Sequence, residues 1–92
     1  MLTKRELIGH WAFWLERNQN TIYRLVVEFQ EKNGYDKKQL AEALECTERV
    51  TAQLLNGSIN CSMEKLFKII TRMGLCPVMT FPTLDEHLTD VL

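Results

Sequence analysis

Within the run "LAEALECTERVTAQLLNGS", residues 40–58, a carboxylate, a guanidinium and a primary amide stand close together: Glu48, Arg49 and Gln53. A guanidinium or an amide can form two hydrogen bonds at once with the edge of a flat polar ring, and a carboxylate can accept from an exposed amino group. This is the chemistry by which side chains tell nucleobases apart. The run reads as two short amphipathic segments joined by a turn too brief for anything but a tight bend. The question it raises is whether the second segment presents these groups to a nucleic acid or only has the shape of one that does. Its charge is ambiguous, because Arg49 is its one base and Glu48 is an acid where a reader usually carries several positive charges.

The other reactive side chains form no comparable group. His10 and His87 are single, and no glycine-rich phosphate loop, nucleophile elbow or carboxylate pair accompanies them, Cys46 or Cys76, so neither enzyme activity nor a cofactor is expected. Zinc would require Cys46, Cys61, Cys76 and a histidine to converge without any short-spaced pair, and no metal is expected. Three cysteines are an odd number, evenly spread, unlike a disulfide framework. They read as small reduced hydrophobes.

Ninety-two residues, 46% of them hydrophobic and 25% charged, fit one domain with a small core. The apolar runs are far shorter than the roughly 20 residues that cross a bilayer, and no signal-peptide core opens the chain, so no membrane association and a cytoplasmic location are expected. The net charge of −1 is unevenly spread. All eleven Lys and Arg lie in residues 1–73 against nine of the twelve acids, a balance of +2, whereas residues 74–92 hold Asp85, Glu86 and Asp90 and no base. For a nucleic-acid binder this is a pale footprint, since affinity for phosphates comes from Lys and Arg. Either binding is modest or dimerisation doubles the charge.

The elements that must position these groups follow from hydrophobic period and caps. "TKRE" sets Thr3 three residues before Glu6 as a helix start, and Leu7, Ile8, Trp11, Trp14 and Leu15 follow at helical spacing, predicting a helix over about 4–17 whose tryptophans belong to the core. "RNQNT", residues 17–21, is rich in weak helix formers and predicts a break before a second helix over about 20–32. The series 8, 11, 15, 18, 22, 25, 29 nevertheless keeps helical period through Asn18, so one long helix is the alternative. Asp36 caps a short helix with Leu40, Ala41 and Leu44 facing inward and Lys37, Lys38 and Glu42 outward. Glu45 and Cys46 form the turn. Thr47 caps the next helix, in which Val50 or Thr51 joins Leu54 and Leu55 on the inner face before "NG" stops it. Ser62 caps a helix burying Leu66, Phe67, Ile69, Ile70 and Met73 and ending at Gly74. Residues 76–82, "CPVMTFP", alternate between two prolines and predict a short strand. The whole is an all-α, compact helical bundle in a single domain, 1–92. It divides into an extra N-terminal helix at 1–19, a core at 20–75, the strand at 76–82 and an acidic tail at 83–92.

"GYDKKQLAEALECTERVTAQLLNG", residues 34–57, resembles the helix-turn-helix of the lambda-repressor-like (XRE or Cro-type) regulators, and "SMEKLFKIITRMGLCPVMTF" is similar to the segment that follows the motif in small antitoxin-like members. The resemblance covers about residues 20–81. Asp36 and Lys37 stand where the family usually has Thr-Gln, Glu45 where it has a turn glycine and Thr51 where it has Val. It implies a second helix lying in the major groove of double-stranded DNA with its N-terminal side chains at base edges. Those positions are Thr47, Glu48, Arg49, Ala52 and Gln53, with Lys37, Lys38 and Asn56 near the phosphates. The expected role is a sequence-specific DNA-binding regulator, a probable repressor acting as a homodimer. The lone strand has no internal partner, so Val78, Met79, Thr80 and Phe81 are expected to pair with a symmetry mate in a two-stranded ribbon. The alternative is an antitoxin-like or degenerate helix-turn-helix module that binds a toxin or another protein, with the acidic tail as the partner segment.

Overall fold

The structure is a computed structural model that describes residues 3–91, with side chains as far as residue 88 at the C-terminal end, so Met1, Leu2 and the Leu92 end of the acidic tail lie outside the described residues. Its regular elements are all helical: α1 (Lys4–Ile8), α2 (Trp11–Asn33), α3 (Lys37–Ala43), α4 (Glu48–Asn56), α5 (Met63–Arg72) and α6 (Leu84–Val91).

The first break falls at Gly9–His10 and not at residues 17–21, and α2 runs unbroken for 23 residues. The polar residues that argued for a break are satisfied inside the helix. Asn18 donates from Nδ2 to the Trp14 carbonyl at 2.7 Å and Thr21 from Oγ1 to the Arg17 carbonyl at 3.0 Å, so neither competes for the backbone as it would in a cap. The helix starts instead on His10, whose Nδ1 accepts from the Ala12 N–H at 3.2 Å. It ends on Gly34 at φ 65°, where the Tyr35 N–H reaches back to the Gln30 carbonyl at 3.1 Å.

The helices that follow are capped as their sequence indicates. Asp36 accepts from the Gln39 N–H at 2.8 Å while the Gln39 side chain accepts from the Asp36 N–H at 2.9 Å, a reciprocal box that satisfies two donors at the start of α3. Thr47 accepts from the Val50 N–H at 3.1 Å and Ser62 from the Lys65 N–H at 3.1 Å, starting α4 and α5. Between α3 and α4 the chain closes with the Cys46 N–H on the Ala41 carbonyl and the Glu45 N–H on the Glu42 carbonyl, at 3.0 and 3.1 Å. This is the bonding that ends α2 at Gly34, but here Glu45 occupies the left-handed position, at φ 51°. Glu45 thus makes the turn that Gly34 makes at the end of α2.

The core consists of Val26, Leu40, Leu44, Leu54 and Ile69, contributed by α2 to α5, with Ile22, Phe29, Tyr35, Val50 and Leu55 among the side chains packed on it. Thr51 is fully buried among them. Its hydroxyl donates to the Thr47 carbonyl at 3.0 Å and meets Cys46 Sγ at 3.2 Å, so a polar atom at a position that resembles a family valine is not left unpaired. Leu66, Phe67, Ile70 and Met73 are half-buried on α5.

The N-terminal half of α2 projects beyond this core and gives the molecule its longest dimension, 43 Å against 26 and 23 Å. There α1 and α6 pack on it. Ile8 is buried, its carbonyl accepts from the Trp14 indole N–H, Trp14 meets the His87 ring edge-on at 5.2 Å, and Arg5 pairs with Asp85 at 2.6 Å. Trp14 is half-buried, but Trp11 is 72% exposed, which corrects its expected place in the core.

One expectation for the C-terminal segment changes. No strand forms among the described residues: residues 75–83 run without regular structure, and Val78, Met79, Thr80 and Phe81 lie exposed. A strand exists through its ladder, no second strand is present among the described residues to pair with it, and Pro77 and Pro82 each remove a donor. The acidic tail is a helix. Thr83 accepts from the Glu86 N–H at 3.1 Å, and Asp85 and Glu86 sit in the first turn, where the helix dipole favours negative charge. "TLDE" carries the cap signature that identifies this start.

Glu45 offers a direct measure of the turn. Glu45→Gly and Glu45→Ala both remove its ion pair with Arg72, but only glycine relieves the left-handed backbone. In urea denaturation the glycine variant is expected to be about 1 kcal/mol more stable than the alanine variant.

Candidate nucleic-acid interface

The α3–turn–α4 unit brings the sequence-indicated residues to the surface in three different conditions. Lys37, Lys38, Glu48, Arg49 and Asn56 are exposed, and neither lysine, nor Glu48, nor Arg49 enters an ion pair among the described residues. Thr47 is exposed but its hydroxyl oxygen already serves as the α4 cap. Ala52 and Gln53 are half-buried. The Gln53 Oε1 is buried and accepts no hydrogen bond, so this amide is turned inward in the free chain. Lys37 and Lys38 occupy the first turn of α3, and Glu48 and Arg49 the first turn of α4. Polar heads therefore cluster at the N-terminal ends of both short helices.

A group that the sequence reading did not single out lies on the other side of the turn. Lys65, Lys68 and Arg72 stand at i, i+3 and i+7 on α5, and with Glu45, Cys46 and Ser62 they line a shallow pocket of about 320 Å³. The helical spacing of the three bases was the available signal. Two of the three are engaged, Arg72 with Glu45 and Lys68 with Glu64 at 3.2 Å, and both pairs are exposed enough for water to weaken them. Lys65 has no ion pair among the described residues.

The remaining titratable groups have structural surroundings. His10 caps α2, and His87 packs on Trp14. No group of three His, Cys, Asp or Glu side chains is placed to hold a metal among the described residues. Cys46, Cys61 and Cys76 are free thiols. Burial pushes the Cys61 thiol above its ordinary pKa, Lys65 opposes the shift and Cys46 adds to it. No helix among the described residues is long and apolar enough to cross a membrane. In comparisons with family models, with curated proteins and with solved structures, nothing matches the chain.

Two outcomes follow from these surroundings. Gln53→Met keeps the shape of the side chain and removes an unpartnered buried acceptor, so it is expected to stabilise the free protein by about 1 kcal/mol, raising the melting midpoint by roughly 4–8 °C. Because the raised pKa of Cys61 lowers its thiolate fraction at any given pH, iodoacetamide at about pH 8 is expected to alkylate exposed Cys76 before Cys61. The Cys61 rate should keep climbing as the pH rises beyond the ordinary thiol range, with mass spectrometry of the labelled peptides as the readout.

Proposed function

We propose that this chain is a sequence-specific DNA-binding transcriptional regulator, a repressor acting as a homodimer. α4 would lie in the major groove and the start of α3 would face the phosphates. The observation that carries the reading is the tightly closed α3–α4 pair whose outer corner leaves Arg49, Glu48, Lys37 and Lys38 with exposed, unpaired polar heads. Such a pair can rest one helix on the backbone and aim the other at base edges. Arg49 suits the paired acceptors of guanine and Glu48 the amino group of cytosine.

Gln53 suits adenine, and its inward amide supports the assignment. Because Oε1 has no partner inside, swinging out to a base breaks no bond at that atom. Two copies would set their α4 helices on successive turns of one face of the duplex, about 34 Å apart. The alternative, a protein-interaction module of antitoxin-like kind that binds a toxin or another protein, draws support from the acid on α4 and from the apolar surface at the far end of α2.

Gel shifts against the gene's own promoter at several salt concentrations separate the two. Arg49→Ala or Gln53→Ala is expected to weaken specific binding by roughly 1–3 kcal/mol and to relax preference at one base per half-site. Lys37→Ala or Lys38→Ala should weaken all sequences alike and flatten the salt slope by about two per dimer. Glu48→Ala should strengthen nonspecific binding without improving selectivity, since a carboxylate repels phosphates. If all five variants stay folded and bind as the parent does, α4 is not a reader and the interaction module stands.

A further inference from the structure

Five of the six most exposed large apolar side chains lie on the N-terminal half of α2 or on the loop before α6, the sixth being Met63 on α5. Trp11 is 72% exposed, Val78 78% and Phe81 83%, with Leu15 and Met79 at 50% and 49%. Residues 11, 14, 15 and 18 share one side of α2, and Trp14 and Asn18 form one wall of a groove of about 520 Å³ whose other wall is residues 78–84. Trp11 and Leu15 continue that wall along the helix. With about 150–250 Å² available from each aromatic side chain, Trp11 and Phe81 alone expose roughly 230–390 Å². Leu15, Val78 and Met79 add to this, so the patch reaches at least the roughly 300–600 Å² of the largest patch on an ordinary monomer.

Shape and charge favour a like partner. A two-fold contact uses one surface twice, so that surface must supply both protrusions and a recess. Here Trp11 and Phe81 protrude beside the groove. The rim carries both signs, with Arg17 over Trp14 and, beyond His87, Glu86 and the Arg5–Asp85 pair. A copy with the same rim can match it, whereas anionic lipid would be repelled by the acids of α6. Spacing agrees as well. At about 1.5 Å per residue, Val26, in the core shared with α4, lies about 18 Å along α2 from Trp14. With the two α2 axes antiparallel across a two-fold at Trp14, the α4 helices stand about 36 Å apart, close to one turn of DNA.

We propose that the N-terminal half of α2 and residues 78–84 form a self-association surface that takes a second copy of this chain, with Trp11 and Phe81 of each protomer entering the groove of its partner. The inference rests on the homodimer of the proposed function, not on base reading by α4, and it replaces a strand ribbon with helix and loop packing. Sedimentation of the full chain without DNA, over about 1–100 µM, tests it. The expected species has twice the chain mass of 10.8 kDa. Its tryptophan emission should shift to the blue with rising concentration, because Trp11 is largely exposed in the single chain.

Trp11→Glu and Phe81→Glu are each expected to weaken the dimer at least about 100-fold while leaving the helical circular dichroism intact. A dimer that survives both but is dissociated by Met79→Pro overturns the surface in favour of the ribbon. A parent chain that is monomeric throughout also overturns it, and flotation with phosphatidylcholine–phosphatidylserine vesicles would then assign the face to a membrane. A specific gel shift from such a monomer would leave base reading standing, so the two failures are distinguishable.

Discussion

The structure depends on the packing of Leu40, Leu44 and Leu54 against Val26. α3 and α4 have seven and nine residues, below the roughly 12–15 at which an isolated helix is even marginal in water. Neither can hold its shape by propensity and caps alone. Burial of each leucine contributes about 1.5–3 kcal/mol, enough to offset the ordering of a short helix only when all three share one partner surface. α2 supplies that surface and closes the set through Ile69 of α5. The exposed ends of α3 and α4, where the candidate contacts lie, are held in place from behind by this cluster.

The turn is fixed from inside with equal economy. The buried Thr51 hydroxyl, the Thr47 carbonyl and Cys46 Sγ form a small polar group whose hydrogen bonds stay within α4 and the turn, while Glu45 holds the left-handed corner and reaches Arg72 on α5. The side chains that determine the corner therefore differ from those at the outer face. Glu48, Arg49, Lys37 and Lys38 take no part in the core, so the fold sets no constraint on their chemistry beyond solubility.

Much of this was legible in the sequence, and the exceptions share a cause. Asp36, Thr47 and Ser62 identified three helix starts because a cap is a local event involving residues three apart. The inner faces of α3 and α4 followed from period. The break expected at residues 17–21 failed because Asn18 and Thr21 bond back to carbonyls one turn earlier, which propensity cannot distinguish from a cap. The strand failed because alternation states only that two faces differ, and a ladder needs a second segment that none of the described residues supplies. Trp11 failed because a helix long enough to outrun its core continues its apolar stripe into solvent. For the candidate site, the sequence indicated which heads are exposed, but the inward amide of Gln53 depends on tertiary packing that no local pattern encodes.

The charge distribution constrains how such a surface would work. Near the turn Lys37, Lys38, Arg49 and Lys65 stand outside ion pairs among the described residues, but Arg49 sits beside Glu48 and the whole chain carries a net charge of −1. A DNA reader with this surface would gain little from the sequence-independent term and would depend on base-edge contacts for much of its discrimination. Contacts of that kind are few per protomer here, at most those of Arg49, Gln53 and Glu48. Pairing two protomers multiplies them without adding a charge to either chain, and it does so most effectively when the linkage is stiff, because a fixed separation lets the second half-site bind at a high effective concentration. A continuous 23-residue helix is a stiffer spacer than a two-stranded ribbon, whose register a one-residue slip can change. In such a dimeric reader the unbroken α2 and the weak charge of α4 would be two aspects of one requirement, that specificity come from geometry where electrostatics supplies little.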